Sequence, residues 1–216
     1  MHKLNTRLVA SLTIHFLLLS VCNAGIIAQH RYTDGVNATF NSGAGMSADG
    51  GVVYDNRRGQ SFIAAGTAQV GAVSFVASSL SQATADLRLS VMSFSQGQPT
   101  TVLGSKLISA NTFTSGFLSS PYEFTHTIDF TGLGITVQSD RQYALVFSTD
   151  SPDANYRIYG DYEGYADGAS LYSQNGSPFS QQTGDFYFRI GAAIPAPSAA
   201  VYLGLAALAA SARRRR

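Results

Sequence analysis

Short runs of alternating apolar and polar residues, separated by clusters of Gly, Ser, Asn and Asp, recur over residues 52–190 and constrain the fold more than any other feature of the chain. Leu87, Leu89 and Val91 fall on one side of their run, with Asp86, Arg88 and Ser90 on the other. Tyr143, Leu145 and Phe147 repeat the pattern. So do Val73 and Phe75 within 70–77, Phe124, Ile128 and Phe130 within 121–130, and Phe186, Phe188 and Ile190. A strand turns successive side chains to opposite faces, so each such run buries one face and wets the other. Further short strands are expected at 52–55, 60–64, 102–108, 155–160 and 169–173. Nothing in the body has the 3.6-residue period of an amphipathic helix. About ten short strands with turn signals between them predict an all-β domain of two antiparallel sheets, a jelly-roll-like sandwich. The small residues of 41–51 (NSGAGMSADGG) predict a flexible lead-in over 25–51, and 115–121 and 173–184 read as loops. The sandwich domain is then 52–194, with no internal repeat and no linker to split it.

The two ends have a different character. Lys3 and Arg7 precede an apolar stretch, 8–21, and Cys22-Asn23-Ala24 closes it with small residues at the −3 and −1 places. This pattern predicts a signal peptide over 1–24, cut before Gly25; its core of 14 residues falls short of the roughly 20 that a spanning helix needs. At 195–216 the order is Pro195-Ala196-Pro197-Ser198, a largely apolar run over 199–212, and Arg213, Arg214, Arg215 and Arg216. As an apolar helix that run would rise about 21 Å against a hydrocarbon core of about 30 Å, a marginal span whose arginines would hold the cytoplasmic face.

The tail resembles the PEP-CTERM sorting signal of Gram-negative bacteria in Pro195, Pro197, Ser198, the apolar run and the arginine cluster, with Ala196 where that signal usually has Glu. The resemblance implies export, a transient hold on the inner membrane, processing by an exosortase-type enzyme, and a destination at the cell surface or in the extracellular matrix, alongside exopolysaccharide. The body is similar to the choice-of-anchor R type of domain over 52–192. The similarity rests on Gly59-Gln60-Ser61-Phe62, the strand around Val73, Leu87-Arg88-Leu89-Ser90-Val91, Tyr143-Ala144-Leu145-Val146-Phe147-Ser148 and Gly184-Asp185-Phe186-Tyr187-Phe188-Arg189-Ile190, in that order. It implies an exported β-sandwich and supplies no catalytic residues.

Charge and cysteine usage narrow the function further. Lys3, Arg7 and the four terminal arginines are six of the 14 basic residues, whereas all 13 acids lie between them. The body therefore sets 8 basic against 13 acidic residues, a net −5 that gives no nucleic-acid footprint. The one cysteine is Cys22, so a mature domain starting at Gly25 would have neither disulfide nor thiol chemistry and would fold by its core alone.

Catalytic residues are not expected. No Gly-Xaa-Ser-Xaa-Gly elbow presents a serine, and no His/Cys/Asp spacing fits a zinc site. His126 shares parity with Phe124 and Ile128 and reads as a histidine at the core or its edge, while His30 falls in the expected mobile N-terminus. The segment Asp161-Tyr162-Glu163-Gly164-Tyr165-Ala166-Asp167-Gly168 is the candidate ligand or calcium site. Asp161, Glu163 and Asp167 offer oxygen ligands between glycines, although the spacing is not that of an EF-hand, three carboxylates do not complete a site, and a solvated acidic turn is the favoured reading. Tyr162 and Tyr165, with Tyr156, Tyr159 and Tyr172, could stack on sugar rings or simply pack in strands. The expected function is that of an exported, non-catalytic surface or matrix protein without a cofactor. A carbohydrate-binding module is the alternative and a secreted hydrolase the third reading.

Overall fold

The computed structural model of the protein describes residues 25–31, 39–49, 52–79, 85–118, 123–150, 155–162 and 164–194. The expected signal peptide over 1–24 and the expected sorting tail over 195–216 lie outside them. The strands are β1 (Ile26–His30), β2 (Thr39–Asp49), β3 (Val52–Ile63), β4 (Ala68–Phe75), β5 (Ala77–Ser79), β6 (Leu87–Ser95), β7 (Gln98–Ile108), β8 (His126–Asp129), β9 (Thr136–Val137), β10 (Gln142–Ser148), β11 (Asn155–Asp161), β12 (Ser170–Gln174), β13 (Ser180–Gln182), β14 (Asp185–Phe186) and β15 (Phe188–Ala192). Among the described residues the only helical elements are two 3-10 turns, Ala110–Thr112 and Thr131–Leu133. No helix of the described residues is long and apolar enough to cross a membrane.

Every strand pairing is antiparallel. The smaller sheet runs β1-β15-β4-β8, with β9 also on β4. The larger runs β14-β11-β2-β3-β10-β6-β7, with β12 and β13 branching from β3 and β5 from β11. Both sheets bury one face in a common core. Val73, Phe75, Phe188 and Ile190 come from the smaller sheet, and Phe62, Leu89, Val91, Leu145, Phe147 and Ile158 from the larger. Phe75 meets Phe147 edge-on at 5.1 Å, and Phe62 meets Phe188 at 6.1 Å. Each such side chain contributes about 1.5–3 kcal/mol when fully buried, and in a body without cysteine this burial is the main source of stability.

Leu87, Leu89 and Val91 and Tyr143, Leu145 and Phe147 face the main core as their alternation requires, with β6 and β10 side by side in the larger sheet. The other face of β10 is not wetted: Ala144 and Val146 are buried there with Leu171. The β6–β7 hairpin closes through Gln96-Gly97, both with positive φ (52° and 76°). That is the two-residue geometry whose twist matches the strands, and only the glycine adopts it without strain.

Three expectations need correction. The expected flexible lead-in over 25–51 contains all of β1 and β2. Local propensity disfavours a strand in NSGAGMSAD, but β2 pairs with β11 over residues 39–45 and with β3 over residues 45–49, so a partner strand meets each half of it. The separate strands expected at 52–55 and 60–64 are one long strand, β3, which pairs with β2 over its first half and with β10 and β12 over the rest. The loop expected over 173–184 carries the end of β12 and all of β13. The compact β unit spans Ile26–Ala192.

Candidate functional site

A knot of buried polar side chains joins the two sheets where β11 meets β14. Asp161 at the end of β11 lies directly opposite Asp185 at the start of β14, and Gly160 lies opposite Phe186. The strands approach so closely that a Cβ on Gly160 would sit 2.0 Å from the Asp185 carbonyl oxygen. Both carboxylates are almost fully enclosed, at 1% exposure for Asp161 and 5% for Asp185. Each is held by a residue remote in sequence. The Asp161 Oδ1 lies 2.8 Å from Nε2 of His30 on β1, a hydrogen bond that becomes an ion pair when the imidazole is protonated. The His30 ring stacks on Tyr187 at 5.9 Å and tilts against Tyr165 at 5.8 Å.

Asp185 accepts from Nε2 of Gln60 at 2.6 Å and from the Tyr165 N–H at 2.8 Å. The Gln60 Oε1 accepts in turn from the Phe186 N–H at 2.8 Å. Gln60 is itself fully buried, so it serves as a polar clamp between β3 and β14. Next to it, Ser61 Oγ accepts from Ala169 N–H at 2.9 Å and the Ser61 N–H donates to the Ala169 carbonyl at 2.9 Å. Burial, and then the charges of Asp167 and Asp185, push the Tyr165 hydroxyl well above the ordinary tyrosine range, so it stays protonated at physiological pH.

The segment singled out in the sequence is therefore divided. Asp161 is inside, bonded to His30, and Asp167 is exposed in the turn that follows. Tyr162 is exposed, and Tyr165 is half-buried edge-on against Phe188 at 5.3 Å. Glu163 lies outside the described residues. Among the described residues no group of three or more His, Cys, Asp or Glu converges as metal ligands. The expected mobile setting of His30 is a correction, since the ring is packed between the sheets. The tyrosines do not form one sugar platform either. Tyr156 and Tyr159 are buried at 0% and 3%, Tyr156 donating to the Ala85 carbonyl with its hydroxyl pushed up to about 12 by burial and by Asp86. Tyr172 lies beneath Arg58, 3.9 Å from the guanidinium.

Asp161 and Asp185 stand directly opposite in an antiparallel ladder, a placement that holds Cβ atoms about 4.5–5.5 Å apart. Hydrolysis requires such groups to reach a substrate. Here both are enclosed and engaged, and the chemistry they perform in this arrangement is the cross-linking of strands. Sequence reading missed Gln60 and Asp185. Gln60 shares strand parity with the core residue Phe62, so a polar residue at an inward position was the available signal there, whereas Asp185 alternates with Phe186 and Phe188 and its sequence position gave none.

His126 sits at the core's edge, as its parity with Ile128 requires. Its ring lies between Phe75 (5.3 Å, nearly parallel) and Phe113 (4.2 Å). Nδ1 is 2.8 Å from the Thr125 hydroxyl and Nε2 is 3.4 Å from the Thr112 carbonyl. Burial lowers its pKa below 6.5, and the Thr112 carbonyl offsets this only in part. The fold thus favours the neutral ring. Below pH 6.5 the unfolded chain binds the proton more readily, so this contribution is complete above 6.5 and is lost as pH falls towards and through the lowered value. Thermal melts should show it: between pH 6.5 and pH 5 the melting temperature should fall more steeply for the native protein than for His126→Phe, and the two should run parallel above 6.5. Parallel curves throughout would refute the assignment.

In comparison with known proteins, no family model matches the chain and no curated protein is similar to it.

Proposed function

We propose that the protein is an exported, non-catalytic β-sandwich protein of the cell surface or extracellular matrix, sorted through a PEP-CTERM-like tail. The observation that carries this reading is the order Pro195-Ala196-Pro197-Ser198, apolar run, Arg213–Arg216, opposite in position to the basic, apolar and small-residue pattern of 1–24. The extent of the compact unit supports it: Ile26–Ala192 begins just past the proposed cleavage site and ends just before Pro195. The body would then be a jelly-roll-like two-sheet sandwich resembling the choice-of-anchor R type, a finer description supported by the main core to which both sheets contribute. Its partners would be an exosortase-type enzyme and, transiently, the inner membrane.

Cell fractionation tests the proposal. The exported protein should begin at Gly25 by N-terminal sequencing. Deleting 195–216 should release a body whose melting temperature is nearly unchanged, since the strands and core of the described residues are built from residues 26–192. Serine in place of Arg213, Arg214, Arg215 and Arg216 should give the same release, because the positive charges fix the cytoplasmic end of a marginal span. An N-terminus at Met1, a lipid on Cys22, or membrane association as tight in both variants as in the intact chain would each overturn the reading.

A further inference from the structure

We infer that the outer surface of the seam between the two sheets is a binding site for an acidic polysaccharide, built on two arginine–phenylalanine pairs, Arg157 with Phe117 and Arg189 with Phe124. This rests on the reading of the protein as an exported surface or matrix component and supplies it with a ligand class.

Backbone bonds close the seam. The Tyr159 N–H donates to the Val76 carbonyl and the Tyr187 N–H to the Tyr159 carbonyl, each at 3.0 Å. The side chains of Val76, Tyr159 and Tyr187 form a small cluster separate from the main core, with Leu118 and Phe124 packed against it. Parity fixes the direction of the arginines. Tyr156 and Ile158 on β11, and Phe188 and Ile190 on β15, belong to the main core. Arg157 therefore projects from the opposite face, with Tyr159, and Arg189 from the opposite face, with Tyr187. The two pairs thus flank one cluster. Leu118, beside Phe117, is tied to it through its N–H on the Tyr159 hydroxyl at 3.0 Å, and Phe124 packs directly on it.

The guanidinium of Arg157 lies 3.3 Å from the centroid of the Phe117 ring, and that of Arg189 lies 5.3 Å from the Phe124 ring. Phe117 is 69% exposed, the highest value among the large hydrophobic residues described. Among the described residues neither Arg157 nor Arg189 is in an ion pair, although acids outnumber bases in the body. Stacking on a ring positions a guanidinium while leaving its N–H fork free for a bidentate carboxylate. A solvent-exposed phenyl ring beside that fork supplies an apolar face for C–H contact. A carboxylate borne on a ring with apolar C–H faces satisfies both features, and a uronate unit of a polysaccharide is such a group. An acidic peptide satisfies only the charge. Glu123, exposed and next to Phe124, weakens the local positive field.

Binding of the full chain to polygalacturonate, dextran and polyglutamate, followed by calorimetry at low and physiological salt, tests the inference. Polygalacturonate should bind, dextran and polyglutamate markedly less well. Arg157→Gln and Arg189→Gln should each weaken polygalacturonate binding about tenfold or more at an unchanged melting temperature. Arg157→Lys should fail to restore it, Phe117→Ala should weaken it, and Glu123→Gln should strengthen it. Equal binding of polyglutamate, full activity of Arg157→Lys or no effect of Phe117→Ala would reduce the site to a point-charge patch and overturn the inference. Absence of polygalacturonate binding would overturn it outright. Either result leaves export and sorting untouched, since those are read from the N-terminus and the fractionation.

Discussion

Gly168→Ala should be among the most destabilising single-methyl additions to this protein. A Cβ at this position would lie 1.9 Å from the Ser61 carbonyl oxygen and 2.7 Å from its carbon, both backbone atoms that no rotamer change can move away. The neighbouring residue holds the approach fixed, because Ala169 exchanges hydrogen bonds with Ser61 through N–H, carbonyl and Oγ. Relief would have to break that clasp and shift the start of β12 from β3. Overpacking of this kind costs about 3 kcal/mol or more. In a domain of this size that corresponds to a fall in melting temperature on the order of 10 °C. Gly160→Ala should behave similarly, with its Cβ 2.0 Å from the Asp185 carbonyl oxygen. Gly66→Ala is the control: nothing lies within 4 Å of the added methyl and its φ is not in the left-handed region. It should be neutral or slightly stabilising, by up to about 1 kcal/mol through the unfolded chain. Equal melting temperatures for Gly168→Ala and Gly66→Ala would show that β12 is not clasped to β3 as described.

The second large effect is expected at Gln60. Replacing it by the similarly sized methionine keeps the volume but removes both halves of an amide that bridges Asp185 and the Phe186 N–H. The Asp185 carboxylate would retain the Tyr165 N–H but lose its shortest donor in an enclosed position, and the Phe186 N–H would lose its acceptor. A buried neutral group deprived of its partner costs about 1–3 kcal/mol, and a charged one more. Gln60→Met should therefore lose about 3 kcal/mol or more in urea titrations. Gln60→Glu should also destabilise, by placing a second carboxylate against Asp185. If Gln60→Met leaves the urea midpoint unchanged, the clamp contributes nothing, and β14 is held by Phe186 and its neighbours alone.

Neither residue announces its role in the sequence. Gly168 lies in a segment whose glycines and acids read as a solvated turn or a calcium loop, and only the 108-residue return of the chain that sets Ala169 against Ser61 explains why this glycine must be bare. Gln60 and Asp185 are 125 residues apart. Their pairing depends on β14 closing the edge of the larger sheet, and no local pattern encodes which edge it takes. Asp161 is the sharper case: its place among acids and glycines suggested a ligand for solvent cations, whereas the pairing of β11 with β14 and the contact with His30 enclose it. The tyrosines divide for the same reason. Spacing alone did not separate Tyr156 and Tyr159, which are core residues, from Tyr162, which is exposed.

The sequence by itself determined the class of fold, since alternation at β6, β10 and β15 is a local property that follows from strand geometry and from the need to bury one face. It also determined that the core would be aromatic and aliphatic without disulfides, and that His126 would lie at the edge of that core. Tertiary structure alone decided that Gly- and Ser-rich β2 becomes a strand, because β11 pairs with one half of it and β3 with the other where its own propensity does not favour one. It alone assembled the Gln60–Asp185 and His30–Asp161 contacts and the two arginine–phenylalanine pairs around Tyr159 and Tyr187. Contacts between residues more than a hundred positions apart depend on sheet order and register, and those are set by the summed burial of all the strands rather than by the few residues that meet.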